Sequence, residues 1–372
     1  MRGGVGQNQK SKTWFVMYDV PRGPDDKRKQ VKKGGFKTEQ EAKRYRRLML
    51  SQIDAGLYVP TESGTTGHFL MDEYLPTQVH LRSSTLRTYT GYLSNRIVPA
   101  IGSVPLSDLR PAHLQRFYAE LSASGLTPMT IRHVHAILRR AFNRAVDWGK
   151  LPVTPVRGLD LPTPPRRDLL TWSPAETRTF LAALHGDRDE ALFTTLLTTG
   201  LRRGELLGLR WQDVDPVPGV ARIEQALVQS GGHIALGPPK TRRSERVVAL
   251  DRFTLTALRQ HRQRQVAEQL SWGPGYVDSG LVFRREDGSH CIPSSVSGRW
   301  LHVQQGLGLP RLRLHDARHT HATLALEAGV PLVVVSERLG HSTITLTANT
   351  YGHVRPEVAR EAADKVAGLL FE

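Results

Sequence analysis

Thr199-Gly200-Leu201-Arg202-Arg203-Gly204-Glu205-Leu206-Leu207-Gly208-Leu209-Arg210-Trp211 is the stretch on which the reading of the fold turns. An apolar helical run over residues 191–199 stops at a Thr-Gly turn, and an arginine follows at once. Glu205, three residues after Arg202, shares its helix face. Three further islands lie downstream: Pro239-Lys240-Thr241; His315-Asp316-Ala317-Arg318-His319-Thr320-His321-Ala322-Thr323; and Leu339-Gly340-His341-Ser342, with Tyr351-Gly352-His353 just beyond.

The residue types suit phosphodiester chemistry. Such a reaction needs a nucleophile, cations on the non-bridging oxygens and a proton for the leaving oxygen. Arg202 and Arg318 offer planar bidentate donors that match phosphate. Lys240, the only lysine between Lys150 and Lys365, can give up a proton as arginine cannot. His315 and His341 can exchange or share one near neutral pH. For a hydroxyl or thiol nucleophile, residues 169–372 hold only Tyr276, Tyr351 and Cys291 besides serines and threonines. Tyr276 sits in a Gly/Pro turn; Tyr351 stands in the fourth island. Taken singly, Arg202 reads as a helix-surface arginine and Tyr351 as an ordinary amphipathic residue; their order and spacing together point to a site. His315 and His319 are four apart, yet no glutamate lies between them and no carboxylate ligand follows, which argues against a metal. His319 and His321 are expected to pack or cap.

Outward from these islands, residues 169–372 read as the largest unit. Ser173-Pro174-Ala175-Glu176 is a capping box that opens a helix. Residues 222–228, 233–236 and 245–250 read as strands of one small antiparallel sheet, with helices again from about residue 294. Residues 160–168, with Pro162, Pro164 and Pro165, form a stiff boundary. Residues 68–150 are helical throughout: one helix over 84–96, one over 110–122, and the longest from Thr127-Pro128 to Gly149. Its apolar stripe is Ile131, Val134, Leu138, Ala141, Phe142 and Ala145; its other face carries Arg132, Arg139, Arg140 and Arg144. Residues 13–60 read as short strands and one helix, opened by Thr38 and Glu41.

The chain's 372 residues carry a net charge of +16. Residues 1–60 hold 14 Lys/Arg against 6 Asp/Glu, half of that excess. Lys27-Arg28-Lys29-Gln30-Val31-Lys32-Lys33 is its densest run, suited to phosphate contacts. The excess points to a polyanion, most simply nucleic acid. One cysteine excludes a disulfide framework and a Cys-based zinc site. No run of about 18 apolar residues suggests a membrane span, and the first ten residues lack an apolar signal core. A soluble, cytoplasmic protein working on DNA is expected.

The four islands resemble those of the tyrosine recombinase family, specifically a phage-type integrase. That family is marked by an arginine after Thr-Gly-x, a hairpin lysine, His-x-x-Arg, Leu-Gly-His and a tyrosine. Ala317 is the one mild departure, where leucine is common. The resemblance implies a multidomain α+β fold. Residues 1–60 are an arm-type DNA-binding domain with a small three-stranded sheet plus helix. Residues 64–158 are a helical core-binding domain. Residues 168–372 are a mainly helical catalytic domain with a small antiparallel sheet. It implies that Tyr351 attacks the scissile phosphate and forms a 3′-phosphotyrosine, and that Arg202 and Arg318 clamp the phosphate. Lys240 protonates the leaving 5′-oxygen, His315 assists proton transfer, His341 donates a hydrogen bond to the phosphate and Glu205 braces Arg202. Neither metal nor other cofactor is needed, since the covalent link conserves the phosphodiester energy. The implied partners are double-stranded DNA attachment sites, three further copies of the chain in a synaptic tetramer, and an excisionase or host DNA-bending protein in a bacterial host. A resolvase or type IB topoisomerase shares the chemistry, but relaxing supercoils needs no basic N-terminal module. A DNA-binding protein that no longer cuts is the reading from another class.

Overall fold

A computed structural model describes residues 3–20, 29–55, 64–165, 169–230, 233–238, 245–341 and 343–351. At Lys29, Ser230, Leu346, Asn349, Thr350 and Tyr351 it describes backbone alone. The chain divides into two compact units, Met1–Arg166 and Arg167–Glu372.

The first unit begins with an antiparallel sheet in the order β1 (Val5–Gln7), β2 (Trp14–Val20), β3 (Lys29–Phe36). Alternation along β2 turns Val16 and Tyr18 inward, where they pack on Ala42 of α1 (Glu39–Asp54). The Thr38 hydroxyl and the Glu41 carboxylate form the expected capping box at the start of α1. Helices follow: α2 (Thr66–His68), α3 (Ser83–Tyr92), α4 (Val98–Ile101), α5 (Pro111–Ala123) and α6 (Pro128–Asp147). The helix expected over 84–96 runs further, because α3 passes through a widened π turn, Leu93–Ile97, into α4. Another π turn, Phe69–Tyr74, follows α2. Each precedes a proline, Pro76 or Pro99, whose ring and missing N–H disrupt the regular i→i−4 ladder. The whole expected stripe of α6 is buried, alongside Phe69, Leu93 and Leu114.

The second unit contains α7 (Pro174–Ala183), α8 (Glu190–Thr199), α9 (Arg203–Leu207), β4 (Val214–Asp215), β5 (Val220–Ile223), β6 (Ala226–Ser230), β7 (His233–Gly237), β8 (Arg246–Ala249), α10 (Arg252–Trp272), α11 (Pro293–Gly306), α12 (Asp316–Glu327), α13 (Leu332–Leu339) and α14 (Ile344–Tyr351). Trp172 and Trp300 stack 4.8 Å apart at the centre of its core, with Phe180 and Phe193 around them. The stretch 222–228, read above as one strand, breaks at Glu224-Gln225. β5 joins the sheet β4-β5-β8, and among the described residues β6 pairs with β7 alone. At the break the side chains turn to α9 and its exit: Gln225 donates to the Gly208 carbonyl at 2.8 Å, and Glu224 accepts from Arg210 at 2.7 Å.

Candidate active site

The geometry starts where α8 stops. Gly200 takes a left-handed conformation, φ +65°. A Cβ there would come within 2.7 Å of both the His321 ring and Leu339. The reversed chain delivers Arg202 to the N-cap of α9, where Glu205 closes a capping box by accepting from the Arg202 N–H at 3.1 Å. The Arg202 guanidinium then donates to Glu205 at 2.6 Å and to the Gly340 carbonyl at 3.1 Å. Glu205 is 3% exposed and also accepts from Arg246 of β8 at 3.0 Å. Burial works against the charged carboxylate, but the two guanidiniums outweigh it and hold Glu205 below the usual carboxylate range.

Arg318 reaches the same place from α12. It is 3% exposed and donates to the carbonyls of Gly200 at 2.8 Å and Leu339 at 2.5 Å. α13 ends at Gly340, again left-handed at φ +64°, and hands the chain to His341. The His341 N–H bonds the Ser336 carbonyl, and its Nδ1 lies 2.7 Å from the Thr347 hydroxyl on α14. Desolvation, then the charges of Arg318 and Arg202, pull the His341 pKa down to about 4. The ring is therefore neutral at physiological pH. Arg202, Glu205, Arg318 and His341, expected together from the sequence, thus converge on the Gly200 and Leu339-Gly340 turns.

His315 precedes α12 at an exposed position, its ring edge-on to His319 with centroids 5.6 Å apart. Desolvation, His319 and Arg318 lower its pKa from the ordinary imidazole value. It lines a cleft shared with Arg203, Ser297, Arg311 and Arg313. His321 packs, as expected: Nδ1–H donates to the Leu197 carbonyl at 3.0 Å, and Arg338 donates to its Nε2 at 3.3 Å. Tyr351 closes α14, four residues beyond Thr347, and its backbone alone is described. Lys240 lies outside the described residues, between β7 and β8. Tyr276 packs under the Arg284 guanidinium, 5.0 Å from its ring centroid. Among the described residues no group of His, Cys, Asp and Glu could hold a metal ion, and no helix is long and apolar enough to cross a membrane.

Of the basic residues singled out for DNA, Lys27 and Arg28 lie outside the described residues, and Lys29 opens β3. Lys32 covers the Phe15 ring at 4.1 Å, and Lys33 covers Tyr45 at 4.7 Å. Their strand partners are Met17 and Val16, so the two lysines sit on opposite sheet faces rather than in one patch. On α6, Arg132, Arg139 and Arg140 are exposed. Arg132 donates to the Pro162 carbonyl at 3.0 Å and Arg140 to the Tyr89 hydroxyl at 2.7 Å.

The sequence reading missed Arg246, Arg338, Thr347 and two glycines. A Cβ on Gly204 would lie 2.8 Å from the Leu227 carbonyl oxygen, and one on Gly208 would lie 2.9 Å from Ala226 Cα. These glycines let β6 rest directly on α9 and its C-cap. Their signal was present in the G-x-x-x-G spacing of 204 and 208; Arg246 offered only its place shortly after the lysine turn.

Three family descriptions match in order along the chain: "Arm DNA-binding domain" over residues 7–53, "Phage integrase, N-terminal SAM-like domain" over 68–122, and "Phage integrase family" over 173–357. A tyrosine recombinase XerC-like protein of Caldanaerobacter subterraneus subsp. tengcongensis is 33% identical over 96% of this chain and 97% of its own length. The ICEBs1 integrase of Bacillus subtilis is 28% identical over 68% of this chain and 69% of its own. The Tn1549 transposon integrase, solved in complex with transposon right end DNA, superposes with a TM-score of 0.71 at 22% identity, covering 82% of this chain and 99% of that one. The fold is therefore an integrase fold. The chain belongs to the phage integrase family of tyrosine recombinases. It is a site-specific DNA recombinase.

Proposed function

We propose that this recombinase cuts and rejoins DNA through Tyr351, integrating and excising a phage or other mobile element at attachment sites. The Tyr351 oxygen attacks the scissile phosphorus, forming a 3′-phosphotyrosine as the bond to the 5′-oxygen breaks, and Lys240 protonates that oxygen. Arg202 and Arg318 neutralise the non-bridging oxygens, where charge builds in the transition state. Neutral His341 donates a hydrogen bond to one of them, His315 passes the tyrosine proton, and Glu205 braces Arg202. Attack by the freed 5′-hydroxyl of a partner strand reverses the step and releases Tyr351, so no external energy is required.

The observation that carries this reading is the meeting of Arg202, Arg318 and His341 around the turns at Gly200 and Leu339-Gly340. Three donors, from the start of α9, from α12 and from just past α13, form a cationic cluster in largely buried surroundings, where electrostatic stabilisation is strong. We infer three domains: residues 1–60 gripping distant arm sites, 64–158 gripping the core site, and 168–372 carrying out catalysis. Strand exchange between two duplexes calls for four copies, and an excisionase or host DNA-bending protein in a bacterial host sets direction. The test uses a nicked duplex copied from DNA flanking the coding region. The wild-type chain should leave an SDS-resistant adduct mapping to Tyr351, while Tyr351→Phe should bind equally and leave none. An adduct on Tyr276 or none at all would overturn the assignment.

A further inference from the structure

Thr347 is wholly buried, and its hydroxyl makes a 2.7 Å hydrogen bond to His341 Nδ1. Threonine hydroxyls inside helices commonly turn back to the carbonyl four residues earlier; this one reaches a side chain in the connection between α13 and α14 instead. Thr347 and Tyr351 are four residues apart on α14, one turn along the same face. A neutral imidazole has one donor nitrogen and one acceptor, and the partner of one nitrogen decides the role of the other. A hydroxyl that donates to Nδ1 leaves the proton on Nε2.

We propose that Thr347 is a positioning residue: its hydroxyl sets the His341 tautomer so that Nε2–H faces the scissile phosphate, and it ties that setting to the seating of the helix that bears Tyr351. The inference rests on the phosphate-binding role given to His341 above. Arg318, Arg202, His319 and Arg246 all act on His341 electrostatically, so a second proton on the ring is disfavoured and a neutral donor is what the pocket can accept. A neutral ring in the wrong tautomer would aim a lone pair at the phosphate oxygens and repel them. While α14 is seated, Thr347 holds His341 armed and Tyr351 stands one turn away. If α14 leaves, His341 loses its orienting partner in the same movement. Nucleophile and phosphate pocket are thereby completed together, which keeps a half-assembled site from engaging DNA.

The experiment uses full-length protein and the nicked duplex described above, measuring adduct formation, DNA binding and thermal stability for Thr347→Val, Thr347→Ser, His341→Ala and the Val/Ala double variant. Removing the hydroxyl should slow adduct formation about 10- to 100-fold, less than the loss of a direct transition-state donor, with DNA binding unchanged. Thr347→Ser should recover to within about threefold of wild type, and Thr347→Val should add nothing in the His341→Ala background. Imidazole nitrogen shifts should report an Nε2–H tautomer in the wild type and a mixture in Thr347→Val. If Thr347→Val melts early, Thr347→Ala against Thr347→Ser reads the same hydroxyl. Wild-type rates without the hydroxyl, equal slowing by Val and Ser, or independent effects in the double variant would each overturn the proposal. A His341→Ala variant at wild-type rate would instead remove the phosphate role of His341 itself.

Discussion

Arg246 donates to Glu205 across 3.0 Å, joining β8 to the helix that follows Arg202. Both side chains are nearly buried, 8% and 3% exposed, so the pair is shielded from salt and water. Glu205 accepts from Arg202 as well, and this single carboxylate spaces two guanidiniums. Glu205→Gln should cost about 3–5 kcal/mol, the range for breaking one side of a buried ion pair, and slow adduct formation on the nicked duplex at least tenfold. Because its folded pKa lies below its unfolded value of about 4.3, the stabilisation from Glu205 is present above that pH and is lost as acid titrates it through the lower folded value. Thermal melts of Glu205→Gln and wild type should therefore converge at strongly acid pH.

Lys240→Ala should be slow on ordinary DNA and largely rescued on a 5′-bridging phosphorothioate, whose sulfur leaves with little need of a proton. Single-turnover cleavage of the two substrates checks this. Equal slowing on both would make Lys240 a phosphate ligand only.

Gly208→Ala should disturb the site from a distance. The new Cβ would lie 2.9 Å from Ala226 Cα and Leu227 N, so β6 must lift off α9. Overpacking of this kind costs about 1–3 kcal/mol. The β6–β7 hairpin leads directly into the Lys240 segment, so cleavage should fall more on ordinary DNA than on the phosphorothioate duplex.

Three histidines make the second unit sensitive to mild acid. Burial holds His261, His321 and His341 near pKa 4, against an ordinary value of 6.5. Between pH 6.5 and 4 the unfolded chain takes up protons that the folded one refuses, so stability falls with pH through that window and is level above it. His261→Phe isolates one contribution. His261 Nε2 shares the Val282 carbonyl with Gln265, which donates to it at 2.8 Å, while His261 Nδ1 is buried with no hydrogen-bond partner. The variant should lose about 2 kcal/mol less than wild type between pH 7 and pH 4.5, measured by urea unfolding.

The N-terminal sheet has its own small core around Val16, Tyr18 and Ala42, separate from the helical core that begins at Phe69. A fragment beginning at Gly64 should still form the adduct on a short core duplex. It should fail to recombine full attachment sites, and its affinity for them should fall less steeply with salt, by about 0.9 in logarithmic slope for each lost phosphate contact. Wild-type recombination by the fragment would leave residues 1–60 as a solvated basic domain only.

The grouping of Arg202, Glu205, Arg318 and His341 was legible in the sequence because it depends on residue type and order. Arg202, Arg318 and His341 announce themselves by order and spacing, and the caps at Thr38 and Ser173 are local patterns that local rules read. What escaped depends on distant neighbours. Arg246 looks like any strand arginine until Glu205 and the Arg338 carbonyl, 2.7 Å from its Nε, arrive to meet it. Thr347 matters only because His341 folds against it. The division of residues 222–228 between two sheets follows from the close approach of β6 to Gly204 and Gly208, which no alternation of apolar residues encodes. Lys32 and Lys33 read as one basic run, yet strand geometry sends them to opposite faces.

Arg318 and Arg202 rest on the carbonyls of Leu339 and Gly340, which are adjacent in the chain. The two carbonyls belong to consecutive peptide planes that meet at Gly340 Cα, so the left-handed Gly340, φ +64° and ψ +48°, sets the spacing of the two anchor points. The gap between the guanidiniums is thus gauged by the backbone of one glycine, with the chain serving as its own ruler. A residue with a side chain at position 340 would be strained in that left-handed conformation, so a single glycine holds the two arginines at their spacing.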